Sequence, residues 1–140
     1  TLLQLIKVQD WTNVESLLQQ ADAPVQQPDE YGNLPLHAAI GYQAPDPILL
    51  QLLKLHPQAT QVHGTDDWLP LHIAAMWGVS TTVLEALIRA FPAALDDVGE
   101  GGVKGRTPRH FAGRFPHHQA MLERSTEEWR TIIQQEETGK

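Results

Sequence analysis

Leu34-Pro35-Leu36-His37-Ala38-Ala39 occurs a second time in the chain, as Leu69-Pro70-Leu71-His72-Ile73-Ala74-Ala75. An altered third copy follows as Thr107-Pro108-Arg109-His110-Phe111-Ala112. The first two copies are 35 residues apart, and the third begins 38 residues after the second. A fixed period of about 20 to 50 residues is typical of proteins that are built from repeated structural units.

The same period governs apolar positions outside this motif. Sets of three apolar residues recur at intervals of 35: Val14, Leu49 and Leu84; Leu17, Leu52 and Leu87; Leu18, Leu53 and Ile88; Leu5, Ile40 and Ala75. Within each copy the positions of Val14, Leu17 and Leu18 lie at i, i+3 and i+4, as on one face of a helix. The sequence therefore predicts several copies of one helical unit.

The motif resembles the Thr-Pro-Leu-His-x-Ala of ankyrin repeats, whose units are about 33 residues long. The resemblance covers nearly the whole chain and implies a mainly α fold, an ankyrin-like solenoid of stacked helix-turn-helix units with short β-hairpin tips. It implies one domain, 1–140, divided into an N-terminal capping unit (1–28), two full units (29–63 and 64–98) and a degenerate C-terminal unit with an extra helix (99–140). Leu34 and Leu69 stand where the family usually has Thr.

Local signals place a turn and two helices in each unit. Pro is favoured in the first turn of a helix, so we expect helices from Pro35 to about Gly41 and from Pro70 to Trp77. Thr12-Asn13-Val14-Glu15 has the pattern of a capping box at the start of the second helix of the first unit. At the tip of the third unit, Asp67 takes the place of Gly32, and Asp tolerates a positive φ angle better than most residues.

Segment 99–105 holds the three-residue insertion before the third copy of the motif. It contains Gly99, Gly101, Gly102 and Gly105, but it has neither the glycine spacing of a dinucleotide-binding loop nor the Gly-Lys-Ser/Thr of a Walker loop. We therefore expect a lengthened tip here rather than a phosphate-binding loop.

Composition and charge restrict the possible functions. Residues 1–100 contain 12 acidic and 3 basic side chains, whereas residues 101–140 contain 5 and 7. The acidic body disfavours nucleic acids and anionic membranes as partners, and no apolar run approaches the ~20 residues of a membrane-spanning helix. The chain has no Cys, which excludes disulfides and thiolate metal sites and suits an intracellular protein of the cytoplasm or nucleus. We expect a monomeric domain of a larger chain.

Histidine is the residue type that most invites a catalytic or metal-binding hypothesis. For His37, His72 and His110, one in each copy of the motif, the resemblance implies hydrogen bonds to the backbone near the tips. The chain lacks the common hydrolase, metalloprotease and calcium-loop motifs, so we predict no enzyme activity, no metal and no cofactor. A small His-dependent metal-binding or hydrolytic protein remains the alternative, although adjacent His117 and His118 cannot easily face one metal centre.

The resemblance implies a protein–protein interaction module that binds a partner protein through a concave face formed by the tips and first helices. The predicted partner-binding residues are Tyr31, Asn33, Tyr42, Trp68, Met76, Trp77, Arg106 and Phe115. Trp, Tyr, Met and Arg are enriched in interface cores and hot spots. Two alternatives stay open: Trp68 and Trp77 pack only on each other, or an acidic partner binds the basic C-terminal unit, where Lys104, Arg106, Arg109 and Arg114 cluster.

Overall fold

The computed structural model describes residues 2–98 and 106–138. Within these ranges the chain forms eight α-helices: α1 (Leu2–Lys7), α2 (Trp11–Leu18), α3 (Pro35–Gly41), α4 (Asp46–Leu55), α5 (Pro70–Trp77), α6 (Thr81–Ala90), α7 (Pro116–Glu123) and α8 (Thr126–Thr138). Short 3₁₀ helices lie at Pro57–Gln61, Thr65–Asp67, Pro92–Asp96 and Pro108–Phe111. The predicted mainly α fold is confirmed. None of the described helices is long and apolar enough to cross a membrane.

The 35-residue period of the sequence is also a period of the structure. Helices α2, α4 and α6 begin at Trp11, Asp46 and Thr81, and helices α3 and α5 begin at Pro35 and Pro70. The 3₁₀ helices that follow α4 and α6 are spaced in the same way. Equivalent residues therefore form equivalent elements across 29–63 and 64–98.

The first unit is one residue shorter between its helices. The Asp10 N–H donates to the Leu5 carbonyl, and 34 residues later the Ala44 N–H donates to the Ala39 carbonyl at the same 2.9 Å. The apolar register predicted through Leu5 is therefore wrong by one position. Ile6 is the fully buried residue of this turn, while Leu5 is only partly buried.

The helices pack in two layers along the chain. In one layer α3 packs between α1 and α5, and the 3₁₀ helix Pro108–Phe111 continues the row beside α5. In the other layer α4 packs between α2 and α6, and α7 and α8 follow against α6. Ala39, Ala74 and Ala75 in the first layer are completely buried, since small side chains allow close helix approach. Each helix thus buries its apolar face mainly against the neighbouring units.

The tips are tight turns rather than the predicted β-hairpins, because the described residues contain no β-strand. The Asp29 N–H donates to the Asn33 carbonyl at 2.8 Å, and the Gly32 N–H donates back to the Asp29 carbonyl at 3.1 Å. These two hydrogen bonds close the turn, and no paired strands flank it among the described residues. The third unit repeats both bonds 35 residues on, with Asp67 at a φ of 62° where Gly32 has 85°. The prediction that Asp67 takes the place of Gly32 at a positive φ angle is confirmed.

Side-chain caps fix the starts of α2 and α6, whereas α4 begins after Pro45 without a side-chain cap. Asp10 caps α2 by accepting the Asn13 N–H at 3.3 Å, and Ser80 caps α6 by accepting the Val83 N–H at 3.2 Å. The predicted capping box that begins at Thr12 is wrong, because α2 already includes that residue.

Candidate functional site

A groove of about 510 Å³ runs along the first helices α3 and α5 and the tips that precede them. It brings together most of the predicted partner-binding residues, namely Tyr31, Asn33, Tyr42, Trp68, Met76 and Trp77. The other lining residues are Lys7, Asp29, His37, Ala38, Gly41, Thr65 and Ile73. Of the predicted set, Arg106 and Phe115 do not line this groove.

Three aromatic side chains of the groove are exposed to solvent. Tyr31 is 66% exposed, Trp77 is 50% exposed and Tyr42 is 40% exposed. They are called the groove aromatics below. Tyr42 is the C-cap residue of α3, and Trp77 is the last residue of α5, 35 positions later. The repeat therefore places two partly exposed aromatic rings at equivalent points of neighbouring units.

Trp68 lines the groove, and packing against other rings fixes its side chain. Its ring lies 6.0 Å from the His72 ring and 6.0 Å from the Phe111 ring, measured between centroids. The contact with Phe111 joins the third unit to the C-terminal unit, so Trp68 does not depend on Trp77 for its position. Its indole Nε1–H is buried, and none of the described residues accepts a hydrogen bond from it.

The polar side chains at the tips are used inside the fold. The Asn33 amide donates to Thr65 Oγ1 at 2.5 Å and accepts the Thr65 N–H at 2.8 Å, which links one tip to the next. Asp29 Oδ1 accepts the N–H groups of Tyr31 and Asn33, each at 2.9 Å, and its Oδ2 lies 4.0 Å from Lys7 Nζ. Burial acts to raise the pKa of Asp29, but these backbone hydrogen bonds outweigh it and leave the pKa below its ordinary value.

The motif histidines hold the backbone of the tips in place. His37 Nδ1 accepts the Leu34 N–H at 3.0 Å, and its Nε2–H donates to the Val62 carbonyl at 2.8 Å. His72 makes the equivalent pair of bonds 35 residues on, at 3.0 and 2.9 Å. Burial lowers the pKa of both imidazoles and favours the neutral form that can accept and donate at once. The backbone role expected for His37 and His72 is confirmed.

The third copy of the motif departs from this pattern. His110 is exposed, with its ring against the edge of Phe111, so the expected backbone role is wrong there. The neighbouring Arg109 holds the C-terminal unit together instead. Its guanidinium donates to Asp96 Oδ1 at 2.9 Å, to the carbonyls of Leu122 and Arg124 at 2.6 Å each, and to Thr126 Oγ1 at 3.1 Å.

Of the other described basic residues in the predicted cluster, one is hydrogen-bonded within the fold and one is exposed to solvent. The Arg114 guanidinium donates to the Met76 carbonyl at the end of α5 and is thereby tied to the third unit. Arg106 is exposed. Lys104 and the insertion at 99–105 lie outside the described residues, so the predicted lengthened tip stays a prediction.

Phe115 packs against the turn between α5 and α6. A Cβ added to Gly78 would lie 2.9 Å from the Phe115 ring, which shows how closely the ring covers this glycine. With Trp77, His117 and neighbouring residues, Phe115 lines a second groove of about 390 Å³. Trp77 therefore stands between the two grooves, whereas Phe115 lines only the second of them.

Histidine clustering in the C-terminal unit does not form a metal centre. His117 and His118 both direct Nε2 at the Val79 carbonyl, at 2.9 and 2.7 Å, and His118 is completely buried. Burial lowers the pKa of His118, and its Nδ1 has no partner among the described residues. Across residues 2–98 and 106–138, no three His, Cys, Asp or Glu side chains are grouped so that they could hold a metal ion.

Sequence reasoning did not include Lys7, Thr65 and Ile73 in the site. Lys7 belongs to the capping unit, which lacks the motif, so no position of the ankyrin pattern could be assigned to it. Ile73 occupies the first-helix position of Ala38, one period later, and neither residue was among the predicted site residues. Comparisons of the chain with models of protein families, with curated proteins and with solved structures give no match.

Proposed function

We propose that the chain is an ankyrin-like solenoid that binds a segment of another protein in the groove. The observation that carries this proposal is the exposure of the three groove aromatics along one apolar channel. A soluble protein that exposes several large rings side by side usually does so at an interaction site. Ring faces of this kind contribute binding energy at little cost in conformational entropy.

The repeated architecture supports the same proposal. Equivalent helices, tip turns and histidine hydrogen bonds recur every 35 residues, and the helices pack mainly on those of adjacent units. Stacked units of this type present a continuous surface of tips and first helices, where side chains can vary without disturbing the fold. The groove lies on that surface.

Binding suits the groove better than catalysis does. Three polar side chains that line it already have partners: Asn33 with Thr65, Asp29 with two backbone N–H groups, and His37 with two backbone groups. A general base or nucleophile needs an accessible polar atom beside the substrate. We therefore propose that the chain is a non-enzymatic interaction module, and that it acts inside the cell.

Selection of peptides from a random displayed library on the immobilised protein tests the proposal. Peptides that bind in the groove should lose about 2 kcal/mol of binding free energy, roughly thirtyfold in Kd, when Tyr42 and Trp77 are both changed to Ala. Leu55→Ala is a matched control, because Leu55 is 40% exposed, like Tyr42, but does not line the groove. Unchanged helical circular dichroism would show that the variants are folded. Selected peptides that bind the double variant at full affinity would place the interface elsewhere.

An acidic partner at the C-terminal unit is the second candidate, and the exposed Arg106 is the feature that favours it. Arg109 and Arg114 count against it, because both guanidinium groups are bonded within the fold. The same selection distinguishes the candidates. Acidic peptides that lose affinity in Arg106→Ala but not in the groove variant would support this second site.

A further inference from the structure

Among the described residues, cations of the chain lie on aromatic rings only in the C-terminal unit. The Arg114 guanidinium carbon lies 5.7 Å from the centre of the Phe115 ring, and that of Arg124 lies 4.7 Å from the centre of the Trp129 ring. Such distances are typical of cation–π contacts. Within the described ranges, no cation of the chain occupies the groove aromatics in this way.

The part of the chain that forms the groove carries an excess of negative charge. Residues 2–98 contain 11 acidic and 3 basic side chains. Of these basic side chains only Lys7 lines the groove, beside the Asp29 carboxylate, while Arg89 is bonded to Glu85 and Glu136. The exposed Glu30 directly precedes Tyr31. An excess of negative charge on this scale attracts and orients a basic partner as it approaches.

We propose that the segment which binds in the groove is basic and lays an Arg side chain across the groove aromatics. This inference rests on the proposed function and specifies the chemistry of the partner. A planar guanidinium stacks well on Trp and Tyr faces, and it is more weakly hydrated than an ammonium group. The aliphatic stem of the same side chain would lie on the apolar floor made by Ala38 and Ile73.

Two fluorescent peptides of the same length test the proposal, one alternating Arg with Gly and the other alternating citrulline with Gly. Citrulline keeps the shape of Arg and removes its charge. By fluorescence anisotropy the Arg peptide should bind the wild-type protein about tenfold more tightly than the citrulline peptide. Trp77→Ala should weaken the Arg peptide by about the same factor, Trp77→Phe should restore part of the loss, and Leu55→Ala should change nothing.

The outcomes separate this inference from the proposed function. If both peptides bind equally and both weaken in Trp77→Ala, the groove binds peptides and the basic partner is wrong. If the Arg peptide binds the wild type and Trp77→Ala equally, or does not bind at all, the inference is also overturned. In that case peptides selected from the random library decide separately whether the groove binds any segment. A third peptide that alternates Glu with Gly tests the C-terminal unit. If it binds more tightly than the Arg peptide and loses affinity in Arg106→Ala, the C-terminal unit is favoured as the binding site.

Discussion

Replacement of His72 by Ala should lower the free energy of unfolding by about 2–4 kcal/mol. The buried Leu69 N–H loses its acceptor at 3.0 Å, which costs about 1–3 kcal/mol when no water reaches the site. The Asp97 carbonyl loses its donor at 2.9 Å, but Asp97 is partly exposed and water can replace part of that bond. This second bond therefore contributes only about 1 kcal/mol.

The loss should depend on pH in a defined direction. Burial lowers the pKa of His72 from its ordinary 6.5, and the hydrogen bond to the Asp97 carbonyl only partly opposes this shift. Below about pH 6.5 the unfolded chain binds a proton at this site while the folded chain remains neutral, so the wild type loses stability as the pH falls. The Ala variant lacks this loss. The difference in stability between wild type and His72→Ala should therefore narrow between about pH 7.5 and 5.

Urea unfolding followed by circular dichroism at several pH values measures both effects. The midpoint should fall in His72→Ala, while the slope of the transition stays unchanged. His110→Ala is the control, because His110 occupies the same motif position but is exposed, and it should change stability by less than about 0.5 kcal/mol. Equal losses in the two variants, or a gap that widens as the pH falls, would refute the reasoning.

Other substitutions test the packing, the turns and the C-terminal unit. Leu87→Ala should cost about 2–5 kcal/mol in urea unfolding because Leu87 is buried in α6, whereas exposed Leu55→Ala should cost less than about 1 kcal/mol; similar losses would contradict the layered packing. Gly78→Ala should lower the free energy of unfolding by about 1–3 kcal/mol, since Gly78 has a φ of 94° and the Phe115 ring covers it. Gly113→Ala, with open space around it, is the control, and thermal melting measures both variants. Arg109→Lys should lower the melting temperature by the equivalent of about 2 kcal/mol, because Lys cannot reproduce the forked hydrogen bonds; an unchanged melting temperature would mean that the guanidinium network contributes little.

The bounds of the first helices could be predicted because their sequence signals are strong and local. Pro70 begins α5 and Trp77 ends it, as the sequence predicts. The start of α2 was harder, because Asp10 and Thr12 are both good N-cap residues and the choice depends on how the preceding turn approaches the helix. The hairpin prediction failed because a repeated tip sequence specifies the turn but not the length of the pairing around it.

The groove could be predicted in outline because the resemblance to ankyrin repeats implies which positions lie on the surface of tips and first helices. Tyr31, Tyr42 and Trp77 were found in this way. The role of Arg109 could not be predicted, since it replaces an apolar motif residue and three of its four partners, Leu122, Arg124 and Thr126, belong to a segment that does not follow the repeat. The bond of the Asn33 amide to Thr65 on the next tip was not predicted, because sequence places a residue at a tip but does not show what it contacts there.

The bond between Asn33 and Thr65 also determines which units can be neighbours. The equivalent of Asn33 in the third unit is Trp68, whose indole offers one donor and no acceptor. A second copy of 64–98 inserted after the first would therefore lack the reciprocal amide bond at the new boundary. The two full units are alike in backbone but cannot exchange places, and the order of the units along the chain is itself encoded in their tips.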